Sequence, residues 1–389
     1  MYLDKIKKIK DLDFKNKKVL LRTDFNVPLD KNGSIQDDFR IKESLKTIKH
    51  LFSKGASQVI IMSHLGRPQG FDKKYSMNVI RDKLIKLTAK RIVKLDTLVD
   101  LEEIMPNSAE AKIVLLENLR FYEGEQNNDD DFAKSLSKVA DVYVNDAFGV
   151  CHRKHSSVHA ITRYLPSCIG LLVEKELSIF ENMLESPNRP FYAIIGGSKL
   201  ETKIPVIQNL VHKVDKLFLG GGMIFTFYKV QGYSIGKSLY DKNNKVMAKM
   251  MLNNEKIILP KDVIIADDKD EPSQFLSVTI DKIPSYMMGL DIGDESLSYM
   301  IKEMKDAETI VWNGPIGYYE NPLFAKATIT LLKELAKSKA KVIIGGGDTS
   351  FIVERLNLKN DFYHVSTGGG ASLKLLEGTG LVALDVLIK

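Results

Sequence analysis

The sequence predicts an α/β fold with two domains, each built on a parallel sheet with helices on both faces. Three observations lead to this prediction. The chain has 389 residues, which is more than one hydrophobic core usually organises. Short runs rich in β-branched residues recur along the chain, and helical patterns separate them. The runs are continuously apolar rather than alternating, as expected for strands that are buried on both faces.

The first half of the chain contains four of these apolar runs. Helical patterns over residues 40–55 and 131–140 lie between them. The stretch 169–190, IGLLVEKELSIFENMLESPNRP, predicts a helix that two prolines end. We therefore expect residues 1–170 to form the first domain and residues 171–188 to form a helix that joins it to the second. The four runs read KVLLRTDFNVP, QVIIMSHLGRP, KIVLLENLRF and DVYVNDAFG.

The second domain is expected to cover residues 189–374. It contains further apolar runs, each followed by Gly, Asn, Asp or Pro, and a helical pattern over residues 323–340. Strand and helix alternate here as in the first half, so a second parallel sheet is predicted. The runs read FYAIIGGSK, KLFLGGGM, DVIIADD, TIVWNGPIG, VIIGGGDTS and FYHVSTGGG.

Composition narrows the class of protein. Hydrophobic residues make up 44% of the chain and charged residues 27%, the balance of a soluble globular protein. The opening stretch, MYLDKIKKIKDLDF, has no apolar run typical of a secretory signal, and no run could span a bilayer. Two cysteines, Cys151 and Cys168, fit a reducing compartment. We expect a cytoplasmic protein with no membrane partner. The net charge of +6, without an aromatic-rich basic patch, predicts no nucleic-acid partner.

Arginine is concentrated in the first half. Nine of the ten arginines lie within the first 189 residues, and four strand ends carry one nearby. Because ligands bind beyond the carboxyl ends of parallel strands, these arginines are expected to converge on one anion. Surface arginines in a lysine-rich chain are the alternative, which explains each residue but not their repeated position. Arg40 is predicted to open a helix. The residues at or shortly after the strand ends are Arg22, Asp24, Asn26, His64, Arg67, Arg120, Asp146, Arg153 and His155.

Glycine clusters follow the strands of the second half. Glycine lets backbone N–H groups approach a phosphate, and a helix that begins there adds its own unpaired N–H groups. A tight turn is the alternative for any single cluster, but four clusters after four strands favour a nucleotide site. The clusters are Gly196–Gly197, Gly220–Gly222, Gly345–Gly347 and Gly368–Gly370.

Charged residues accompany these glycines. Lys199 and Lys203 follow IIGGSK and are predicted to share one face of a helix that starts there, as charges for phosphoryl transfer. Asp348 is a hard oxygen ligand suited to Mg²⁺, and a helix N-cap is a compatible structural role. Glu320 follows another strand end and could accept from the hydroxyls of a ribose.

Three other patterns are rejected as sites. The stretch GYSIGKS contains Gly-Lys-Ser, but Gln231 stands where a P-loop needs its first glycine. The stretch GGGMIF has Phe225 in place of the third glycine of the dinucleotide fingerprint. The histidines His152, His155 and His159 are loosely spaced, without a cysteine or carboxylate pattern, so metal binding is not expected there.

Taken together, the motifs resemble the phosphoglycerate kinase family, and they occur in the family's order from residue 22 to residue 373. The resemblance implies two Rossmann-like domains joined by a helix, with the tail, about residues 375–389, packed back on the first domain. It implies an enzyme, usually a monomer, that transfers a phosphoryl group between ATP and 3-phosphoglycerate. The products are ADP and 1,3-bisphosphoglycerate, Mg²⁺ is the cofactor, and the pathways are glycolysis and gluconeogenesis. The motifs are RTDFNVP, SHLGRP, ENLRF, NDAFG with HRKHSS, GGSK with TK, GGGM, WNGPIGYYE, GGGDT and STGGGASL.

The resemblance also implies a role for individual residues. Arg40 and Lys199 would be catalytic and flank the moving phosphoryl group, and Asp348 would hold the magnesium ion. The phosphoglycerate would be bound by Asp24, Phe25, Asn26, Arg40, His64, Leu65, Gly66, Arg67, Arg120 and Arg153. The nucleotide would be bound by Lys199, Lys203, Gly220, Gly221, Asn313, Pro315, Glu320, Gly346, Gly347, Asp348 and Thr349.

The chain departs from the family pattern at three positions. Thr23 stands where the family commonly has valine, and Tyr318 and Tyr319 replace smaller or phenyl residues. These residues lie beside the implied site residues and do not replace them. The two tyrosines leave the local fit near Glu320 open.

The residue inventory suits phosphoryl transfer, in which alignment and neutralisation of charge do most of the work. An acceptor carboxylate needs no general base near neutral pH, so no Asp or His base is expected. Closure of the domains around the helix at 170–190 would exclude water. Two other classes stay open from the residues alone: a nicotinamide-dependent dehydrogenase, which the missing fingerprint disfavours, and a non-catalytic anion-binding module, which would not need paired lysines and a metal-type aspartate.

Overall fold

The computed structural model describes residues 2–105 and 110–389. The chain forms two compact units. The first contains the residues up to Glu181 together with Gly380–Lys389, and the second is Asn182–Thr379. The helix over Leu171–Glu185 therefore starts in the first unit and ends in the second.

The first unit is built on a six-stranded parallel sheet. Its strand order is β3-β4-β2-β1-β5-β6, so the chain winds in opposite directions from the central pair β1 and β5. Such a pair marks the crevice in which ligands bind. The strands are β1 (Lys18–Thr23), β2 (Gln58–Met62), β3 (Ile92–Lys94), β4 (Ile113–Leu115), β5 (Val142–Asp146) and β6 (Ser167–Ile169). The helices are α1 (Tyr2–Lys5), α2 (Phe39–Ser53), α3 (Asn78–Thr88), α4 (Leu101–Ile104), α5 (Glu123–Gln126), α6 (Asp130–Ser137) and α7 (Leu171–Glu185).

Both faces of this sheet are buried, as the continuous apolar runs predicted. Successive residues of a strand point to opposite faces. Val19 and Leu21 of β1 pack into the core beneath α2 and α3, whereas Leu20 packs with Ile60 and Val114 on the opposite side. Each of these side chains is fully buried. An alternating pattern would have left one face of the sheet open to solvent.

The second unit contains a second six-stranded parallel sheet. Its order is β9-β8-β7-β13-β14-β15, which is the doubly wound Rossmann order with the change of direction at β7 and β13. The strands of this sheet are β7 (Phe191–Ile195), β8 (Lys216–Leu219), β9 (Ile257–Ile258), β13 (Thr309–Asn313), β14 (Lys341–Gly345) and β15 (His364–Val365). The helices that follow α7 are α8 (Ile204–Leu210), α9 (Ile224–Val230), α10 (Lys245–Met251), α11 (Asp294–Met304), α12 (Lys326–Leu335), α13 (Gly347–Arg355), α14 (Gly369–Leu376) and, in the first unit, α15 (Val382–Asp385).

One strand prediction was wrong in its pairing. The run DVIIADD was expected in a parallel sheet, but β10 (Asp262–Ala266) pairs antiparallel with β11 (Phe275–Thr279) and β12 (Met288–Ile292). The reason is the length of the connections. The connection between β10 and β11 contains too few residues for the crossover that parallel strands require.

The three helices predicted from the sequence pattern are confirmed, but their ends differ from the prediction. The pattern 40–55 corresponds to α2, 131–140 to α6, and 323–340 to the shorter α12. In the last case Pro322–Phe324 forms a separate 3-10 turn, which delays the start of the helix to Lys326. Within the part of the chain that the structure describes, no helix is long and apolar enough to cross a membrane.

Candidate active site

A buried charge network lies at the carboxyl end of β1. Arg22 is fully buried, and its Nε donates a hydrogen bond to Ser157 Oγ at 2.9 Å. Its Nη2 lies 3.3 Å from His64 Nδ1 and 3.8 Å from Glu125 Oε1. Burial holds the pKa of His64 well below its ordinary value, so the ring is neutral near pH 7. Since a guanidinium can only donate, Nδ1 accepts from Arg22, and the neutral ring carries its proton on Nε2.

Asp24 and Arg40 form an ion pair beside this network. Arg40, the second residue of α2, donates from Nη1 to Asp24 Oδ2 at 3.0 Å and to Asn26 O at 3.2 Å. Burial by itself would raise the pKa of the Asp24 carboxyl, but the guanidinium groups of Arg40 and Arg22 hold that pKa below its ordinary value. The Arg40 side chain remains 27% exposed. Part of its guanidinium is therefore open to a ligand.

The loops that follow β1, β2 and β4 hold one another in place. Gly66 N donates to Asn26 Oδ1 at 2.8 Å. Both backbone groups of Leu65 bond to the Asn118 amide, at 3.3 and 2.8 Å. Gly66 has φ +66°, and a Cβ there would lie 2.4 Å from Cε1 of Tyr75. Only glycine fits this position, which explains its place in the motif SHLGRP.

Arg120 brings an unsatisfied cation to the same rim. It is 4% exposed, and its Nε and Nη2 are buried without a hydrogen-bond partner in residues 2–105 and 110–389. Its Nη1 makes one long bond, 3.4 Å, to Gln126 Oε1. Burial and the guanidinium groups of Arg153 and Arg22 lower the pKa of Arg120 to about 10. Burial and Arg67 lower the pKa of Arg153 in the same direction. Mutual repulsion of this kind shows that the cations converge, as an anion site requires.

The remaining predicted residues of the first unit differ in exposure. Arg67 is exposed, and Arg153 is half-buried with its Nε donating to His152 Nε2 at 3.2 Å. Phe25 is fully buried in the core, and its backbone N donates to Ser63 Oγ at 2.9 Å. Phe25 thus contributes backbone and packing rather than a polar side-chain contact.

Within the histidine trio, His155 lies beside Glu125 and the arginines. His155 Nδ1 lies 3.8 Å from Glu125 Oε1, and burial with the nearby arginines lowers the pKa of His155 to about 3. Across the described residues no group of three or more His, Cys, Asp or Glu side chains is arranged to hold a metal ion. His155 belongs to the arginine cluster instead.

Lys203 and Asn313 meet at the switch point of the second sheet. Lys203 Nζ donates to Asn313 Oδ1 at 2.5 Å and joins the loop after β7 to the end of β13. The other amide atom, Asn313 Nδ2, is buried and has no hydrogen-bond partner within the described chain. Burial lowers the pKa of Lys203 to about 8, against the opposing effects of Asp348 and Glu377. A buried ammonium beside an unsatisfied amide donor is suited to an anionic oxygen.

Two glycine clusters act differently from the prediction. The N–H groups of Gly197 and Gly221 are already bonded within the protein, because Gly197 N donates to Pro315 O and Gly221 N to Ile316 O, each at 2.9 Å. A Cβ on Gly220 would lie 2.6 Å from the Ile316 Cβ. These glycines allow three strand-end loops to pack backbone against backbone. The fourth cluster lies at the start of α14, with Gly368 as its N-cap.

The third cluster opens α13. Gly346 is its N-cap with φ +91°, and a Cβ on Gly347 would contact nothing within 4 Å. The first N–H groups of this helix have no partner within the helix, so they can receive phosphate oxygens. The prediction that Asp348 occupies the N-cap was wrong, because the helix begins earlier and Asp348 is exposed in its first turn. Thr349 is buried, and its Oγ1 accepts from Gly314 N at 3.0 Å.

The prediction for the two lysines was also wrong in detail. They were expected on one face of a starting helix, but α8 begins only after Lys203, which is its N-cap. Pro205 near the N-terminus favours that start. Lys199 lies in the preceding loop and is exposed, and its carbonyl accepts from Thr202 Oγ1 at 3.0 Å. One lysine is thus anchored and the other is free to follow a ligand.

A cleft of about 360 Å³ lies beside these groups in the second unit. Tyr319 Oη donates to Asp348 Oδ1 at 3.2 Å, and Glu320 is exposed at the rim. Much of the cleft is lined by residues that lie outside the motifs quoted above. No local pattern in the sequence indicated them. They include Leu239, Lys269, Met288, Gly289 and Leu290.

The rejected stretch GYSIGKS also reaches this cleft. Lys237 and Ser238 line it, although they form no phosphate loop. Lys237 N donates to Met287 O at 2.7 Å, and Ser238 Oγ accepts from Gly289 N at 2.8 Å. The stretch therefore stabilises the wall of the cleft through its backbone and hydroxyl.

A magnesium ion fits this site only together with a nucleotide. Asp348 offers an exposed carboxylate, and among the described residues it is not part of a group of three or more His, Cys, Asp or Glu side chains that could hold a metal ion. Mg²⁺ is commonly bound by one or two carboxylates, with waters and substrate phosphates completing its octahedron. The donor set here matches that mode and not a dedicated protein cage.

Comparisons with known proteins identify the family of this chain. The family model described as phosphoglycerate kinase matches residues 9–379. A phosphoglycerate kinase of Trichodesmium erythraeum is 48% identical over 387 residues, with 96% of each chain covered. One of Arabidopsis thaliana, named phosphoglycerate kinase 3, cytosolic, is 44% identical, with 97% of each chain covered.

Solved structures give the same result at the level of the fold. Phosphoglycerate kinase from Coxiella burnetii superposes with a TM-score of 0.84 at 37% identity, with 98% of each chain covered. The enzyme from Pyrococcus horikoshii OT3 superposes with a TM-score of 0.82 at 28% identity and the same coverage. With a family model over nearly the whole length and full-length relatives well above 30% identity, the chain belongs to the phosphoglycerate kinase family.

Proposed function

We propose that this kinase transfers a phosphoryl group reversibly between ATP and the carboxylate of 3-phosphoglycerate through the residues described above. The observation that carries the proposal is Arg120, whose two buried guanidinium nitrogens have no partner in the described chain. A buried cation that repels its neighbours is costly unless an anion binds it. Its presence at the rim of a parallel sheet supports a site for a strongly anionic substrate.

The phosphoglycerate would be held in the first unit. Arg120 and Arg153, with Arg67 beside them, are suited to its phosphate, because guanidinium groups bind oxyanions through paired hydrogen bonds. Asp24 is held ionised by Arg40 and suits the substrate hydroxyl. Four other positions would complete the site through side chain or backbone: Asn26, His64, Leu65 and Gly66, with Phe25 as the packing residue beneath them.

The nucleotide would be held in the second unit. The N-terminus of α13, at Gly346 and Gly347, would receive phosphate oxygens, and Lys203 with Asn313 would contribute a cation and an amide donor. Glu320 at the rim of the cleft would accept from the ribose. Three further positions shape the site through close packing: Gly220, Gly221 and Pro315, while Thr349 holds the turn after β13.

Asp348 would hold the magnesium ion, which supplies neutralisation of phosphate charge when it is bound. Arg40 and Lys199 would flank the phosphoryl group in transit and stabilise the charge that spreads over its oxygens. No general base is required, because the acceptor carboxylate is ionised near neutral pH. Glu125, Asp24 and His64 contact the arginines of the first unit, and no proton transfer is assigned to them.

The two ligands must come within bonding distance for transfer. We expect closure of the two units around α7, which would also exclude water from the acyl phosphate. Small-angle scattering should show compaction only when both ligands are present. An unchanged scattering curve with both ligands bound would contradict closure.

The decisive experiment is a coupled assay with 3-phosphoglycerate, ATP and Mg²⁺. Turnover that requires all three supports the proposal, and its absence would overturn it. A dehydrogenase on the same architecture predicts nicotinamide-linked turnover instead, which the same preparation can test. We propose in addition that the enzyme is a cytoplasmic monomer. The cytosolic name of the Arabidopsis relative supports the compartment, and sedimentation would test the monomer.

A further inference from the structure

We propose that Tyr319 is a positioning residue that orients the Asp348 carboxylate toward the magnesium–nucleotide complex. The inference rests on the nucleotide site proposed above and adds a residue to it. Tyr319 lies in the loop after β13, and Asp348 lies in the first turn of α13, so their contact joins two separate elements of the second unit. Oη of Tyr319 lies 3.2 Å from Oδ1 of Asp348.

The direction of the hydrogen bond follows from the chemistry of the two groups. An ionised carboxylate can only accept, so the phenol donates to Oδ1. Donation to one oxygen leaves Oδ2 for a ligand. A ligand that takes one carboxylate oxygen and fills its other positions with water and phosphate, as Mg²⁺ does, is compatible with this arrangement.

Positioning matters here because Asp348 is exposed. A free aspartate on the first turn of a helix samples several side-chain conformers, and binding a metal would require it to lose that freedom. The Tyr319 ring is partly buried, so it provides a fixed point for the hydroxyl. Groups that hold a metal-binding carboxylate in this way commonly affect metal affinity although they never touch the metal.

The adjacent Tyr318 offers a matched comparison. Its Oη donates to Asp270 Oδ1 at 2.8 Å and accepts from Lys269 Nζ at 3.2 Å. Both of those partners belong to the loop between β10 and β11. The two tyrosines thus direct their hydroxyls to different elements. Only the Tyr319 hydroxyl contacts Asp348.

The test is the Mg²⁺ dependence of ADP binding, measured by titration calorimetry on the full chain. Each protein is titrated with ADP in excess Mg²⁺ and again in a chelator, and the ratio of the two affinities is the readout. Tyr319→Phe removes one oxygen atom and keeps the ring. We expect it to lower that ratio about 3- to 10-fold, at the weak end of outer-shell effects because the site is exposed. The affinity for ADP in chelator should stay the same.

Two further variants make the result specific. Tyr318→Phe removes the neighbouring hydroxyl and should leave the ratio unchanged, whatever it does to ADP affinity itself. Asp348→Asn should abolish most of the Mg²⁺ effect, and adding Tyr319→Phe to it should lower the ratio no further. An unchanged or increased ratio in Tyr319→Phe would overturn the positioning role. A wild-type ratio near one would instead overturn the metal role of Asp348, which separates failure of the proposed function from failure of this inference.

Discussion

Lys203 Nζ and Asn313 Oδ1 lie 2.5 Å apart and join the first loop of the second sheet to the end of its central partner strand. The contact places a buried ammonium at the point where the sheet changes winding direction. Burial lowers the pKa of Lys203 to about 8. Its charge is therefore present below that pH and is lost as the pH rises through it.

This pKa predicts a pH dependence of nucleotide binding. ADP affinity should fall between about pH 7 and about pH 9, because the attraction between Lys203 and phosphate disappears as the ammonium loses its proton. Bound phosphate raises the pKa and moves the fall toward the upper end of that range. Lys203→Met should weaken ADP binding about tenfold near pH 7 and flatten the profile. Calorimetric titrations across the pH range measure both effects. Lys337→Met, which removes an exposed lysine of a surface ion pair, is the control and should keep the wild-type profile. A profile as steep in Lys203→Met as in wild type would show that Lys203 is not the group that titrates.

Replacement of Arg40 by lysine should be strongly harmful. The guanidinium reaches both Asp24 Oδ2 and Asn26 O from one nitrogen and keeps its other nitrogens for a ligand. A lysine cannot present this planar fork, so kcat should fall about 10- to 100-fold. Steady-state kinetics in both directions measure the loss. Arg163→Lys, in an exposed pair with Asp130, should behave as wild type; equal kcat values for Arg40→Lys and wild type would remove Arg40 from catalysis.

Lys199→Ala should separate turnover from binding. Lys199 lies in an open loop, so it contributes little to the ground-state site and can follow the moving phosphoryl group. We expect kcat to fall about 100-fold or more, with a smaller effect on nucleotide affinity, as for loss of one preorganised charge donor. Kinetics and ADP titration on the same preparation give the two numbers. A fall in affinity as large as the fall in kcat would show a binding role instead.

Arg120→Met should improve stability while removing substrate binding. The wild-type side chain buries two unsatisfied nitrogens among other cations, which is unfavourable without a ligand. The variant should therefore keep or raise Tm in the absence of substrate. Saturating 3-phosphoglycerate should raise the Tm of wild type, since a ligand at 100 times its Kd stabilises by about 2.7 kcal/mol, but not that of the variant.

Scanning calorimetry with and without 3-phosphoglycerate tests this pair of effects. Arg163→Met, an exposed arginine of the same unit, should keep the substrate-induced rise. If the substrate-free Tm of Arg120→Met were several degrees lower than that of wild type, Arg120 would not be destabilising in the free protein, and the prediction would be wrong.

Asp146 predicts a pH dependence of stability. It ends β5, is fully buried, and its Oδ1 accepts from Leu172 N at 2.8 Å at the start of α7. Burial raises its pKa to about 6 from the ordinary value of 3.8. The folded state therefore binds a proton more readily than the unfolded state, so this residue's unfavourable contribution is complete above about pH 6 and disappears toward about pH 4.

Asp146→Asn removes this titration and keeps an oxygen that can accept from Leu172 N. As the pH falls from about 7 to about 4, wild type should gain stability relative to the variant, because only wild type takes up the proton at residue 146. The free energy of unfolding of the variant minus that of wild type should therefore decrease. Urea denaturation at a series of pH values measures the difference. A difference that stays constant over this range would show that Asp146 keeps an ordinary pKa in the folded protein.

Much of the fold could be predicted because parallel strands that are buried on both faces leave a strong pattern. The continuous runs around Val19, Val59 and Ile310 are such strands, and the residues after them do lie at strand ends. The antiparallel pairing of β10 with β11 and β12 could not be predicted from its apolar run alone. An apolar run indicates that a strand is buried, whereas the direction of pairing depends on the length and path of the connection to the next strand.

The glycines show the same limit. Sequence could indicate that Gly197 and Gly221 permit a close backbone approach, but not whether the approaching group is a phosphate or another loop. The structure shows that it is another loop. Helix α13 likewise begins earlier than predicted, so Asp348 lies in its first turn and not at its N-cap.

The amino-acid sequence indicates which chemical groups this protein has and near which strand ends they lie: arginines in the first unit, and glycines, lysines and one metal-type aspartate in the second. These follow from local pattern and composition. The folded structure shows which of these groups already have a hydrogen-bond partner, as the N–H of Gly221 does, and which do not, as with Nε and Nη2 of Arg120. Hydrogen bonding and desolvation depend on neighbours that are distant in the chain, so no local sequence pattern contains this information.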